Sequence, residues 1–211
     1  MAFFHGWDLR EALRLTLVAS RREAEPRSLF ELAEAAFKGG VTALQLREKT
    51  ASDLEVFELA KSLAPFCRER GKLFLIDDRL DVALAADADG VHLGQADLPA
   101  EAARAILPKS KIVGISASNL PQAEQALAAG ADYLGLGAII PTDSKTDASV
   151  ISQADIRAVN SLGAITVAIG GITLDNAKAI RAMGFQGLAV ISALTKAPDP
   201  EAAARRLLEG A

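Results

Sequence analysis

Short aliphatic runs alternate with helix-patterned stretches from one end of this 211-residue chain to the other. The runs fall at 14–19, 42–46, 73–77, 90–93, 111–115, 133–136, 165–169 and 188–191. Each is too short to be a helix of ordinary length and too apolar to be a surface loop, so each predicts a buried strand. Helical signals fill the gaps. Ser28 with Glu31 and Ser52 with Glu55 form capping boxes, and Val56, Leu59, Leu63 and Phe66 make an apolar stripe behind the second. Gly39, Gly71, Gly130 and Gly184 stand where helices should stop. Pro65 predicts a kink or an early end in the second of these helices. A weak repeat marks every second unit: Gly40-Val41-Thr42, Asp87-Ala88-Asp89, Gly130-Ala131-Asp132 and Gly184-Phe185-Gln186 each close a helix and open an even-numbered strand. Eight βα units of about 26 residues use the whole chain. Alternation without a central break predicts an α/β fold, a closed (β/α)8 TIM barrel, as one domain over 1–211 with a short N-terminal extension at 1–12.

Composition agrees with that architecture. Half of the residues are hydrophobic but only 5% are aromatic, so Ala, Leu, Ile and Val must fill the core, as in a parallel sheet buried on both faces. A net charge of −4 gives no electrostatic footprint for nucleic acid or an anionic membrane, and any anionic substrate needs locally placed cations. No apolar run approaches the ~20 residues of a membrane span. The N-terminus has no basic region ahead of an apolar stretch, and the single cysteine, Cys67, cannot form an intrachain disulfide. A soluble, cytoplasmic protein is therefore expected, with Cys67 as a small hydrophobe on a helix. A homo-oligomer stays open.

In a barrel the strand C-termini converge on one mouth, and here those ends collect polar residues. Gln45-Leu46-Arg47-Glu48-Lys49 follows the second strand, Asp77-Asp78 the third, and His92 through Asp97 the fourth. Ser116 follows the fifth, Thr142-Asp143-Ser144-Lys145 the sixth, Gly170-Gly171 the seventh, and Ile191-Ser192 the eighth. Two chemistries can be read from this set. Asp78 and Asp97 are hard oxygen ligands on neighbouring strands, suited to a Mg²⁺ that keeps several waters and shares a substrate phosphate. Arg47, Lys49 and Lys145 supply cations for a polyanionic leaving group such as pyrophosphate. Gly170-Gly171 and Ser192 lie where this fold commonly holds a phosphate. Plainer roles exist for each residue alone: Asp78 as a helix N-cap, Arg47 with Glu48 as a surface ion pair, Gly170-Gly171 as a turn, and His92 as a hydrogen-bonded core histidine. No Ser, His and Asp combination forms a credible nucleophilic triad.

These motifs, taken in order, resemble the thiamine-phosphate synthase family. The likeness rests on Gln45-Leu-Arg-Glu-Lys49, Asp78-Arg79 with Asp81-Val-Ala-Leu84, and Asp89-Gly-Val-His-Leu-Gly-Gln95 with Asp97-Leu-Pro99. Further matches are Gly114-Ile-Ser-Ala117, Gly135-Leu-Gly137, Pro141-Thr142 with Lys145, Gly170-Gly171-Ile172-Thr173 and Ile191-Ser192-Ala193. The resemblance implies a (β/α)8 barrel transferase that uses Mg²⁺ to join hydroxymethylpyrimidine pyrophosphate to hydroxyethylthiazole phosphate, giving thiamine phosphate and pyrophosphate. It implies that Asp78 and Asp97 hold the metal. Gln45, Leu46, Arg47, Glu48, Lys49, Ser116 and Lys145 would contact the pyrimidine pyrophosphate, with Arg47, Lys49, Lys145 and Ser116 carrying the leaving-group chemistry. Thr142, Asp143, Ser144, Gly171, Ile191 and Ser192 would line the thiazole phosphate site.

The chain departs from the family at a few places. Asp77 stands where Asn is usual, at a substrate-contacting position. The first strand reads Leu15-Thr-Leu-Val-Ala-Ser20 in place of a frequent Tyr and Thr-Asp pair, and Ala138 and Ile140 replace a frequent Pro and aromatic. Asp77 is expected to have a raised pKa from the like charges around it. Three other readings share the barrel. One is a thiazole tautomerase, disfavoured because Ser116-Ala117-Ser118 carries no histidine. The others are a Schiff-base aldolase using Lys49 or Lys145, and an inactive phosphate-binding paralogue, for which Asp77 is the best argument.

Overall fold

The computed structural model describes residues 3–4, 7–141 and 150–209. In it the eight aliphatic runs are eight parallel strands: β1 (Leu15–Ala19), β2 (Ala43–Leu46), β3 (Leu73–Asp77), β4 (Gly90–Leu93), β5 (Ile112–Ala117), β6 (Tyr133–Leu136), β7 (Thr166–Ile169) and β8 (Gly187–Val190). Each pairs with its neighbours in sequence, and β8 pairs with β1 to close the barrel. Helices cover the outside. Ahead of the barrel, Phe3–Phe4 pairs antiparallel with Trp7–Asp8, and the short helix Leu9–Ala12 brings Leu9, Ala12 and Leu13 into the core.

Side chains alternate strictly between the two sides of the barrel wall, as the period of a strand requires. Leu15, Leu17, Leu44, Leu46, Phe74, Ile76, Val91 and Leu93 pack outward under the helices. Val18, Ala43, Leu73, Leu75, Ile112, Tyr133, Val167 and Ala189 face inward and fill the lumen. Burying each large aliphatic side chain stabilises the fold by roughly 1.5–3 kcal/mol. The inward row also decides which polar residues can reach the mouth.

The sequence repeat has a physical cause at the opposite end. Thr42 Oγ1 accepts from the Leu15 N–H at 3.1 Å, and Asp89 Oδ2 from the Phe74 N–H at 2.8 Å. Asp132 Oδ2 accepts from the Val113 N–H at 2.8 Å, and Gln186 Oε1 from the Thr166 N–H at 2.7 Å. In all four cases the residue opening an even strand satisfies the backbone at the start of the odd strand before it. The barrel is thus four βαβα quarters, each tied at its base by one polar side chain.

Both expected capping boxes form, and Ser20 with Glu23 makes a third that the sequence reading had not singled out. The helix Asp53–Glu69 runs through Pro65 and does not end there. Pro65 lies on the exposed face, whereas Leu63, Ala64 and Cys67 are buried on the other. The carbonyl that loses its partner is therefore open to water, and burial of the inner face outweighs the roughly 3 kcal/mol cost of an interior proline. Cys67 is a core residue on this helix, its thiol pushed up to about 12 by burial and therefore unreactive. Among the described residues no helix is long and apolar enough to cross a membrane.

Candidate active site

Strand parity selects the site. Ala43 and Gln45 face inward on β2, and the chain beyond keeps that alternation, so Gln45, Arg47 and Lys49 all line one cavity at the barrel mouth. Its volume is about 280 Å³. Leu46 and Glu48 have the opposite parity. Leu46 is buried in the outer layer, and Glu48 accepts from the Arg21 N–H at 2.7 Å and pairs with its guanidinium at 3.6 Å. The structure therefore does not bring these two of the five expected neighbours to the cavity. The alternation itself carried that signal. Arg47 is not a surface partner of Glu48 either; its Nε lies 3.4 Å from Asp77 Oδ2.

Asp77, Asp78, Asp97, Ser116, Gly171, Ile191 and Ser192 line the same cavity. Thr142, Asp143, Ser144 and Lys145 lie outside the described residues. Gln95 belongs to the motif that follows β4, from which the sequence predicts no site role for it. It also lines the cavity, and its Nε2 donates to the Ser116 carbonyl at 2.6 Å. His92 is a core histidine held by two hydrogen bonds, as expected, and also reaches the cavity.

Asp78 is held in an unusual backbone geometry. Its φ is +61°, a left-handed conformation that side-chain-bearing residues avoid. The Asp78 N–H donates to the His92 carbonyl at 2.8 Å, extending the β3–β4 ladder and fixing the turn. The strain directs the carboxylate into the mouth rather than onto the next helix, Leu80–Ala85, whose first turn has no side-chain cap. The N-cap role is therefore not taken up.

Asp78 instead accepts from Lys49 Nζ, and its carboxyl group also hydrogen-bonds that of Asp97. Asp97 Oδ2 accepts from the Gly94 N–H at 2.6 Å. Burial pushes the Asp78 carboxyl up, but the hydrogen bonds from Lys49 and Asp97 win and hold it below the usual range. Burial and the hydrogen bond with Asp78 raise Asp97. Two carboxyl groups this close repel unless a proton or a cation lies between them. Among the described residues no three His, Cys, Asp or Glu side chains converge as a metal cage. A pair of carboxylates beside an ammonium nonetheless fits a Mg²⁺ that takes its other ligands from water and substrate phosphate.

Burial pulls the Lys49 ammonium down, yet the hydrogen bond to Asp78 and the charges of Asp77 and Asp78 keep it above its ordinary value. A Schiff-base lysine needs the reverse, a depressed pKa. Across the cavity, Gly170 and Gly171 have φ of +97° and +69°. A side chain on Gly171 would press against Ile140, within 2.6 Å of its Cβ, so only glycine lets this backbone edge line the cavity.

Asp77 is half-buried, its side chain 9% exposed, and has several partners. Gln45 Nε2 donates to its Oδ1 at 2.6 Å, and Lys49 Nζ lies 3.5 Å from its Oδ2. Burial first, and the Asp78 charge second, raise its carboxyl from 3.8 to about 6 against the pull of Lys49, Arg47 and Gln45. The upward direction matches the sequence expectation, but desolvation rather than like charge is the larger cause. Because the folded state binds this proton more tightly than the unfolded chain, its contribution to stability is present below pH 3.8 and is lost as pH rises to about 6. Asp77→Asn should remove that dependence and leave kcat/KM equal or better. Denaturation of both proteins without metal across this window checks it; parallel stability curves would refute the assignment.

Known proteins resemble this chain over most of its length. A family model described as thiamine monophosphate synthase matches residues 15–194. The thiamine-phosphate synthase of Chlorobium luteolum is 48% identical over 186 residues, covering 87% of this chain and 88% of that protein. That of Pyrococcus furiosus is 45% identical over 202 residues, covering 95% of each. A solved structure of thiamine phosphate pyrophosphorylase from Pyrococcus furiosus superposes with a TM-score of 0.87 at 42% identity, over 96% of both chains. The chain belongs to the thiamine monophosphate synthase family.

Proposed function

We propose that the protein joins hydroxymethylpyrimidine pyrophosphate to hydroxyethylthiazole phosphate, giving thiamine phosphate and pyrophosphate, with Mg²⁺ as cofactor and in the cytoplasm. The observation that carries this reading is one cavity lined by Arg47, Lys49, Asp78 and Asp97 on one side and by Gly171 and Ser192 on the other. A wall with two cations and two carboxylates that would hold a metal suits the pyrophosphate, and a glycine-rich edge with a hydroxyl suits the monophosphate.

Asp78 and Asp97 would hold the Mg²⁺, which when bound neutralises charge on the pyrophosphate. Arg47, Lys49 and, outside the described residues, Lys145 would bind the departing anion, and Ser116 would donate to it. Gln45 and Asp77, already hydrogen-bonded to each other, would orient the pyrimidine. The bond between the pyrimidine methylene and the pyrophosphate oxygen breaks, and its electron pair leaves with the oxygen. The electron-rich aminopyrimidine carries the positive charge left behind. The thiazole nitrogen then forms the new C–N bond with its own lone pair. No proton has to move, so the reaction asks for no general base.

Both substrates supplied with Mg²⁺ should yield thiamine phosphate and pyrophosphate in equal amounts. Tight binding of either substrate without product, under conditions where a related synthase turns over, would favour the inactive paralogue.

A further inference from the structure

Three polar side chains run from the barrel lumen to the mouth: Tyr133 on β6, His92 on β4 and Ser116 on β5. Tyr133 OH lies 2.8 Å from His92 Nδ1, and His92 Nε2 lies 3.0 Å from Ser116 Oγ. Tyr133 is 2% exposed and His92 9%, whereas Ser116 lines the cavity. The barrel makes room for the two rings. A side chain on Gly114 would collide with the Tyr133 ring, and one on Gly135 would come within 2.7 Å of His92 Cε1. Glycine inside a strand gives up packing and backbone order, so both positions favour the rings over a better-filled wall.

Hydrogen-bond direction along this line follows from the chemistry of its inner end. Burial pushes the Tyr133 phenol far above its ordinary value, so it keeps its proton. Among the described residues His92 Nδ1 is the hydrogen-bond partner that this hydroxyl has. If Nδ1 carried a proton, the phenolic hydrogen would be left without an acceptor in the lumen, at a cost of about 1–3 kcal/mol. Donation from Tyr133 to Nδ1 places the imidazole proton on Nε2, which then donates to Ser116 Oγ. The serine hydrogen is left to turn toward the cavity, while Gln95 holds the Ser116 carbonyl at 2.6 Å.

We propose that Tyr133 and His92 are positioning residues that set Ser116 as a hydrogen-bond donor to the pyrophosphate oxygens. This rests on the proposed function, and its test separates the two. The chain has two histidines, so ¹⁵N-histidine labelling in a His5→Gln background reports His92 alone. Wild type should show the Nε2–H tautomer, and Tyr133→Phe should populate both tautomers. Titration with inorganic pyrophosphate and Mg²⁺ should show about a fivefold loss of affinity in Tyr133→Phe, the size of one lost neutral hydrogen bond. Thiazole phosphate affinity should not move. Ser116→Ala should lose a similar factor, and adding Tyr133→Phe to it should lose nothing more, because both act through one hydroxyl. A purely structural role for Tyr133 predicts equal losses for both ligands and additive effects, and either result overturns the proposal. So does an Nδ1–H tautomer in wild type, which would send the Tyr133 proton toward the small cavity bounded by Thr16 and Gln45. That outcome is decisive even if Tyr133→Phe fails to fold. Failure of wild type to bind pyrophosphate at all would instead refute the functional reading.

Discussion

Asp97→Ala is expected to lower turnover by about 10²-fold or more at ordinary Mg²⁺ concentrations, and to raise the Mg²⁺ needed for half-maximal rate. Of the two carboxylates, Asp97 is the cleaner target. Removing Asp78 would also release Lys49 and disturb a turn held at positive φ, so its loss would mix metal, cation and backbone effects. Among the described residues the Asp97 carboxylate accepts one backbone hydrogen bond, from the Gly94 N–H, at a half-buried position that water can reach, and the Asp97 N–H keeps its bond to the Gly94 carbonyl in the variant. Its carboxyl is raised by burial and by its bond with Asp78, so the ionised form gains nothing for the fold. The variant should therefore keep the wild-type melting temperature nearly unchanged while losing rate. Steady-state kinetics across a Mg²⁺ series, with thermal melts in parallel, separate the two effects. Near wild-type turnover would remove Asp97 from the metal site.

The fold was legible because its determinants are local and repeated. The eight strands lie within a residue or two of the aliphatic runs, and the four-fold repeat marks the side chains that tie each pair of strands at the base. The helix does not end at Pro65 because a proline on the exposed face leaves its unpaired carbonyl to water while the buried face holds the helix together, and sequence alone does not show which face it occupies. In the site, a contiguous motif suggested five neighbours where alternation brings three to the cavity; Leu46 and Glu48 show that sequence proximity to a strand end is not orientation. The hydrogen bond of Tyr133 to His92 was invisible in the sequence. Tyr133 reads as one more apolar strand position, and only the parallel register places its hydroxyl beside His92. Asp78 was legible as a carboxylate of the barrel mouth but not as a strained residue, since an Asp at positive φ leaves no mark in composition or spacing.

Lys49→Ala should lower kcat/KM for the pyrimidine pyrophosphate by about 10²-fold, whereas Ser192→Ala should chiefly raise KM for the thiazole phosphate, about five- to tenfold. The contrast follows from where each residue stands. Lys49 bridges Asp77 and Asp78 on the cation-rich wall, and its pKa is held above the ordinary value, so it is charged throughout the working pH range. Charge on the leaving oxygen develops as the bond breaks, and a fixed ammonium there stabilises the transition state more than the bound substrate. Its removal must therefore appear in kcat as well as in kcat/KM. Ser192 opens the short helix Ser192–Thr195 after β8 and faces the cavity beside Gly171. A hydroxyl bound to a phosphate that takes no part in bond breaking contributes equally to ground and transition states, so its loss should leave kcat nearly intact. Removing Lys49 also leaves Asp77 and Asp78 without their nearest ammonium, and the variant should consequently bind Mg²⁺ at least as tightly as wild type. That rise in metal affinity distinguishes a lost leaving-group contact from a collapsed site. Rates measured with each substrate varied in turn decide the matter: the same kinetic pattern in both variants would mean that the cavity does not hold two distinct anion sites.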